Sequence, residues 1–150
     1  MVSGDIMIDK NLAERMKLAN IKQTKQRLAI LTVMQDSQQP LTVDQIYNNL
    51  IKKDITLDLS TIYRFLDLLT TKNLVIKINN IQDERHLYEI NDGYHRHYLC
   101  CLECNKIIAV KHCPLEDYEK SLAQETEFKI VTHKLSVYGY CPECAKKRRK

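Results

Sequence analysis

Apolar positions in the first half of the chain recur with the period of a helix. The stretch "TVDQIYNNLIKK" sets Val43, Ile46, Tyr47, Leu50 and Ile51 at i, i+3, i+4, i+7 and i+8, the spacing of one buried stripe. "STIYRFLDLLTTK" repeats the pattern with Ile62, Phe65, Leu66 and Leu69. Before them, "TKQRLAILTVMQDS" reads as a helix with Thr24 as N-cap, and Pro40 beyond it marks a turn. "DKNLAERMKLAN" gives an earlier, less regular helix. Two strand-like runs follow, "LVIKIN" and "HLYEIN", joined by the polar "NIQDER", which predicts a hairpin.

Helices followed by a hairpin are the outline of a winged helix-turn-helix over residues 1–90, with the fourth helix as recognition helix and the hairpin as wing. Opposite the apolar stripe of that helix lie Ser60, Arg64, Asp67 and Thr71, with Thr61 and Tyr63 flanking them. Hydroxyls, a phenol and a guanidinium donate to phosphates and base edges, where a merely solubilising face more often carries Glu and Lys. The same pattern also suits a small helical domain that binds another protein.

The composition changes at "NDGY", residues 91–94, a turn-forming hinge ahead of a small second domain, residues 95–150. There the pattern predicts strands around Tyr98 and Ile107, a helix "PLEDYEKSLAQ" opened by Pro114, and a long strand "FKIVTHKLSVYG". So small a piece buries too little apolar surface to be stable alone, so a metal, a partner subunit or both is expected.

All six cysteines lie after residue 99. "CLEC" and "CPEC" each close a tight turn, and the thiolates of Cys101, Cys104, Cys141 and Cys144 suit the tetrahedral shell of a structural Zn²⁺. A thiol redox enzyme using Cys100, Cys101 and Cys104 is the alternative from another class, although neither pair clearly opens a helix after a buried strand. His95 and His97, two apart on a strand, share a face, and His133 alternates with Val131, Leu135 and Val137. With Glu116 they make a mixed N/O site for a second divalent ion, Zn²⁺, Fe²⁺ or Mn²⁺. Singly, each has a plain reading, a hydrogen-bonded core histidine or a solvated glutamate; their company beside a zinc knot carries the argument.

A chain with 44% apolar and 28% charged residues reads as a folded protein, and its net charge of +4 comes largely from "KKRRK", residues 146–150, so charge says little about nucleic acid. Neither a signal-peptide core nor a run of ~18 apolar residues is seen, so a cytoplasmic protein with no membrane partner is expected.

With "STIYRFLDLL", "HRHYLCCLEC" and "THKLSVYGYCPEC" in this order, the sequence resembles the ferric-uptake-regulator family of bacterial metal-dependent repressors, from about Asp9 to Cys144. The resemblance implies an α+β fold, with an N-terminal winged helix-turn-helix DNA-binding domain and a small C-terminal α/β dimerisation domain with structural zinc. It implies a homodimer on a palindromic double-stranded DNA operator, with no small-molecule substrate and no enzymatic activity. Residues 61–64 look like the recognition-helix signature, and Cys101, Cys104, Cys141 and Cys144 match the zinc ligands. His95, His97, Glu116 and His133 match the metal site of the dimerisation domain. The family's hinge site carries Pro40, Arg96, Tyr98 and Ala109 here, and keeps only Glu89. Anchoring on Cys100 instead would move His95 and His97 to that site but break the CxxC spacing.

"HCPLEDY", residues 112–118, looks like a segment of the zinc-uptake regulators of the family, and Cys100 and Cys113 offer further soft ligands. Zn²⁺ is therefore favoured over Fe²⁺ or Mn²⁺ as the sensed metal, an iron- or peroxide-responsive regulator being the alternative. Tyr63 and Arg64, beside Ser60 and Thr61, are expected at bases or phosphates, and Lys25 and Arg27 at the DNA backbone.

Overall fold

A computed structural model of the protein describes residues 8–79, 84–93, 96–110 and 112–149. The chain divides between Asp92 and Gly93 into two compact units. The first holds α1 (Lys10–Leu18), α2 (Lys25–Asp36), α3 (Val43–Lys52), α4 (Leu59–Thr71), β1 (Val75–Asn79) and β2 (His86–Ile90). The second holds β3 (His97–Cys101), β4 (Ile107–Val110), α5 (Glu116–Thr126), β5 (Ser136–Gly139) and α6 (Pro142–Arg148).

Local chemistry sets the helix ends of the first unit. The Thr24 hydroxyl accepts from the Arg27 N–H, and Thr42 and Gln45 form a reciprocal capping box. At the other ends, Asn20, Asp54 and Asn73 adopt left-handed φ angles of 57, 60 and 61°. The next N–H then returns to the carbonyl five residues back: Ile21 to Met16, Ile55 to Leu50, Leu74 to Leu69. These Schellman closures satisfy carbonyls that would otherwise lack partners, and they turn Ile21 and Leu74 into the core. That core is built around Met16, Ile30, Leu31, Ile46, Leu50, Ile62, Leu66 and Leu69. The buried stripe of α4 is the one its spacing predicts. In α3 the stripe ends at Leu50, and Ile51 faces outward in the last turn.

β1 and β2 pair antiparallel from Val75↔Ile90 to Asn79↔His86, with Leu41 bridging Tyr88 at the edge. Most of the connecting turn, residues 80–83, lies outside the described residues. Arg15 of α1 gathers the end of this unit. Its Nη1 donates to the Asn91 carbonyl at 2.5 Å and its Nη2 to the Asn73 carbonyl at 3.4 Å. Asn91 Nδ2 donates to the same Asn73 carbonyl at 3.0 Å.

The second unit is a three-stranded sheet ordered β4-β3-β5, with β3 antiparallel to β4 and parallel to β5. Its parallel pair needs a crossover, which α5 and the segment after it provide. Among the described residues of this unit only His97, Tyr98, Cys101, Ile107 and Cys144 are buried, and two of these are thiols. The sequence pattern predicts a last strand over 128–139, but among the described residues only Ser136–Gly139 finds ladder partners, on Tyr98–Cys101. Val131 is 86% exposed, so the alternation through His133 is not that of a buried strand face. The basic tail is exposed and helical as far as Arg148: Pro142 opens α6, and Arg148 pairs with Glu103 at 3.0 Å and lies over the Tyr140 ring.

Arg15→Met keeps the alkyl stem and removes both carbonyl contacts, so urea unfolding should show a loss of about 1–3 kcal/mol. An unchanged midpoint would mean that the guanidinium contributes nothing to this corner.

Candidate metal centres

Cys101 ends β3, and the chain then doubles back so that Cys104 returns to the same point. Asn105, at a φ of 62°, makes that turn possible, and its N–H donates to the Cys101 carbonyl at 3.2 Å. Cys141 sits at the N-cap of α6 and Cys144 in its first turn. The four sulfurs all lie within 4.8 Å of one another. Sulfurs on a tetrahedron of ~2.3 Å radius are about 3.8 Å apart, and Cys104 Sγ lies 3.8 Å from Cys141 Sγ. The group fits a closed, all-sulfur metal shell.

Its electrostatics point the same way. The Cys101 thiol is pulled down to about 6, chiefly by the Cys141 N–H, with help from the Cys104 N–H. Cys144 is pushed up to about 12 by its hydrogen bond with Cys141 and by burial. At Cys104 the Lys106 N–H lowers the value, but the Cys101 sulfur and burial outweigh it and the thiol is raised. One sulfur in the group is a thiolate near neutrality while two of its neighbours keep their protons. A divalent cation would displace those protons and offset half of the charge that four thiolates carry.

A second group closes beside α5. His97 Nε2 lies 3.2 Å from Cys113 Sγ, Cys113 Sγ lies 3.3 Å from His133 Nε2, and the two Nε2 atoms are 3.0 Å apart. The rings stack with centroids 4.9 Å apart. On the far side of its ring, His133 Nδ1 meets the Glu119 carboxylate. With the Nδ1 proton donated to Glu119, Nε2 carries a lone pair into the group. Next to it opens a cavity of about 500 Å³ lined by His112, Cys113, Glu116, Glu119, Val131, Thr132 and His133.

His97 and His133 thus come together as expected, while His95 lies outside the described residues. Glu116 differs from expectation. It heads α5, exposed, with its carboxylate 3.8 Å from Lys120 Nζ, and it lines the cavity without joining the group. Glu119, one turn on, supplies the carboxylate instead. The i, i+3 spacing puts both acids on neighbouring positions of one helix face, so sequence alone had no means of choosing between them. Cys100 is half-buried in β3, opposite Ile107 and Tyr138, and burial pushes its thiol up. Glu89 is in β2, opposite Ile76. Neither belongs to a ligand group among the described residues.

In the first unit, Ser60, Tyr63 and Arg64 are exposed on α4 and Thr61 is half-buried. Thr61 and Arg64 border a groove of about 320 Å³ with Thr24, Gln26 and Arg27 at the start of α2. Lys25 is exposed. Arg27 has structural work as well: its guanidinium lies 5.3 Å over the Phe65 ring and donates to the Lys22 carbonyl at 3.0 Å.

Residues 18–138 match the model of the ferric uptake regulator family. The ferric uptake regulation protein of Cupriavidus metallidurans is 32% identical over 127 residues, 84% of this chain and 88% of that protein. The structure of the Helicobacter pylori ferric uptake regulator, described as having three functional metal binding sites, superposes with a TM-score of 0.78 at 25% identity, covering 97% of this chain and 95% of that one. The Vibrio cholerae ferric uptake regulator superposes at 0.76 with 28% identity, covering 89% and 100%. No helix among the described residues is long and apolar enough to cross a membrane.

Loading zinc onto chelator-stripped protein at pH 7 should release the protons of at least Cys104 and Cys144, as read by an indicator dye. Because protons and metal compete for the same sulfurs, zinc affinity should fall as the pH is lowered. Zinc uptake without proton release would rule out the all-sulfur shell.

Proposed function

Because the chain belongs to the ferric uptake regulator family, whose members are metal-responsive transcriptional regulators and not enzymes, we propose that it is a cytoplasmic, homodimeric repressor controlling zinc uptake. Family membership also removes the thiol redox enzyme from consideration. In this reading Cys101, Cys104, Cys141 and Cys144 hold a structural Zn²⁺, and a second ion at His97 and His133 is the signal. The resemblance would add His95, which lies outside the described residues, and Glu116, which instead stands exposed at the cavity wall and outside the group. The break between Asp92 and Gly93 supports residues 91–94 as the hinge between a DNA-binding domain, 1–90, and a dimerisation domain, 95–150.

The observation that carries the proposal is the presence of two unlike ligand groups in one small unit, one all sulfur and one built on two imidazoles. A structural ion needs only the first. The second leaves a side open to a cavity, as an exchangeable ion requires. Zinc is favoured over iron or manganese because the hinge positions Arg96, Tyr98 and Ala109 offer no such ligand, and Tyr98 is buried in the sheet opposite Ala109. Iron, the metal named for the relatives, is the alternative.

The dimer reading rests on apolar surface. Leu99 is 39% exposed, and its register neighbours Ile108 and Val137 are each 47% exposed, forming a row across all three strands. A second copy covering this row would supply the core that the unit lacks alone. Two such copies would present two α4 helices to successive major grooves of a palindromic operator, with Ser60, Thr61, Tyr63 and Arg64 at the DNA and Lys25 and Arg27 beside the backbone. Metal acts by binding the DNA-competent shape more tightly, so operator DNA should in turn tighten metal binding.

Arg64→Ala should abolish operator binding while zinc content and dimerisation stay normal; unchanged DNA affinity would reject α4 as the reading helix. His133→Ala should retain one tightly held zinc per chain yet lose metal-dependent DNA binding in a mobility-shift titration. A variant that still responds fully to zinc would remove His133 from the sensing site.

A further inference from the structure

Building on the reading that His97 and His133 hold the sensed metal, we propose that Cys113 is the third ligand to that ion and that Glu119, not Glu116, is the carboxylate that orients the site. The sensing centre is then a two-nitrogen, one-sulfur site selective for zinc-like cations.

Three observations lead here. First, the three ligand atoms form a nearly equilateral triangle with edges of 3.0, 3.2 and 3.3 Å. An ion about 2.0–2.3 Å from each atom sits just out of the plane of such a triangle, as in one face of a tetrahedron. Second, two imidazole nitrogens and a sulfur at these distances bring electron pairs together in a half-buried place, an arrangement that calls for a proton or a cation among them. Third, Glu119 lies on the far side of the His133 ring, bonded to Nδ1. Metal-bound histidines commonly show this carboxylate–imidazole pairing, which fixes the tautomer and strengthens the ligand nitrogen.

Chain geometry explains how Cys113 comes to be there. His112 and Cys113 follow β4, and Pro114 and Leu115 turn the chain into α5, so the thiol is presented next to the helix that carries Glu119. The fourth corner faces the cavity, where Glu116 and His112 are within the lining and an ion can enter and leave. Replacing one oxygen ligand by a thiolate moves the site away from Mn²⁺ and Fe²⁺ and toward softer, tetrahedral ions.

The test uses full-length protein with its four-sulfur zinc in place and Co²⁺ as a coloured probe, with bound zinc measured before and after titration. Wild type should take up Co²⁺ with a thiolate-to-cobalt charge-transfer band in the near ultraviolet and intense tetrahedral ligand-field bands. Cys113→Ser should bind Co²⁺ about 10–100-fold more weakly with the charge-transfer band gone, while Glu119→Gln keeps the band and loses affinity by about 10–100-fold. Glu116→Gln should change neither. Cys113→Asp should narrow the preference for Zn²⁺ over Mn²⁺. If wild type binds Co²⁺ without the charge-transfer band, or if the band survives in Cys113→Ser, Cys113 is not a ligand. Loss of that Co²⁺ binding in His133→Ala would still leave the histidine site standing. If Co²⁺ finds no second site in wild type, both this inference and the sensing reading fall.

Discussion

The C-terminal unit depends on the meeting of four sulfurs from the end of β3 and the start of α6. Its sheet has strands of four or five residues, and α5 buries no residue of its own. Among the described residues that leaves a core of five buried side chains, of which Cys101 and Cys144 are two and His97 another. Ordering a residue costs on the order of 1–2 kcal/mol in backbone entropy, and so few apolar contacts cannot offset that for a unit of this size. Metal ligation ties chain positions that are far apart in sequence, which is why such small domains fold around an ion. The apolar row of Leu99, Ile108 and Val137 is a second place where the unit leaves apolar surface that its own chain does not cover among the described residues.

The two ligand groups differ in a way that suits different tasks. Around Cys101 every corner of a tetrahedron is a sulfur supplied by the fold, and no position is left for exchange. Around His133 the ligands come from a strand, a loop and the segment before a strand, backed by a helix carboxylate, and one side is open. On closure alone, before any metal preference is considered, the first group suits an ion held permanently and the second one that exchanges.

Much of this was legible in the sequence, and the parts that were not have physical reasons. The stripe Ile62, Phe65, Leu66 and Leu69 was readable because a one-sided helix leaves a periodic mark, and the four cysteines because a tight turn fixes their spacing. The left-handed Asn20, Asp54 and Asn73 were readable in principle too, each followed by an apolar residue, a helix-stop pattern with no Gly to announce it. Long-range choices were harder. Among the described residues, 128–139 finds ladder partners only on β3, which its own alternation could not reveal. Glu119 and Glu116 share a helix face, so only the position of the His133 ring separates them. Cys113 could be named from the sequence as a further soft ligand, but its partners come from segments sixteen and twenty residues away, and no spacing rule links them.

Arg15, Asn73 and Asn91 make the exit of the first unit stiff. The chain leaves β2 already bonded to the residue that closes α4, and both are held by a guanidinium reaching across from α1. In mechanical terms this is a rigid coupling that ends just before Gly93, whose φ of 85° is open to glycine and strained for other residues. A pull applied at Asp92 would therefore be shared at once by α1 and the end of α4, two helices that the backbone itself joins only through a long detour.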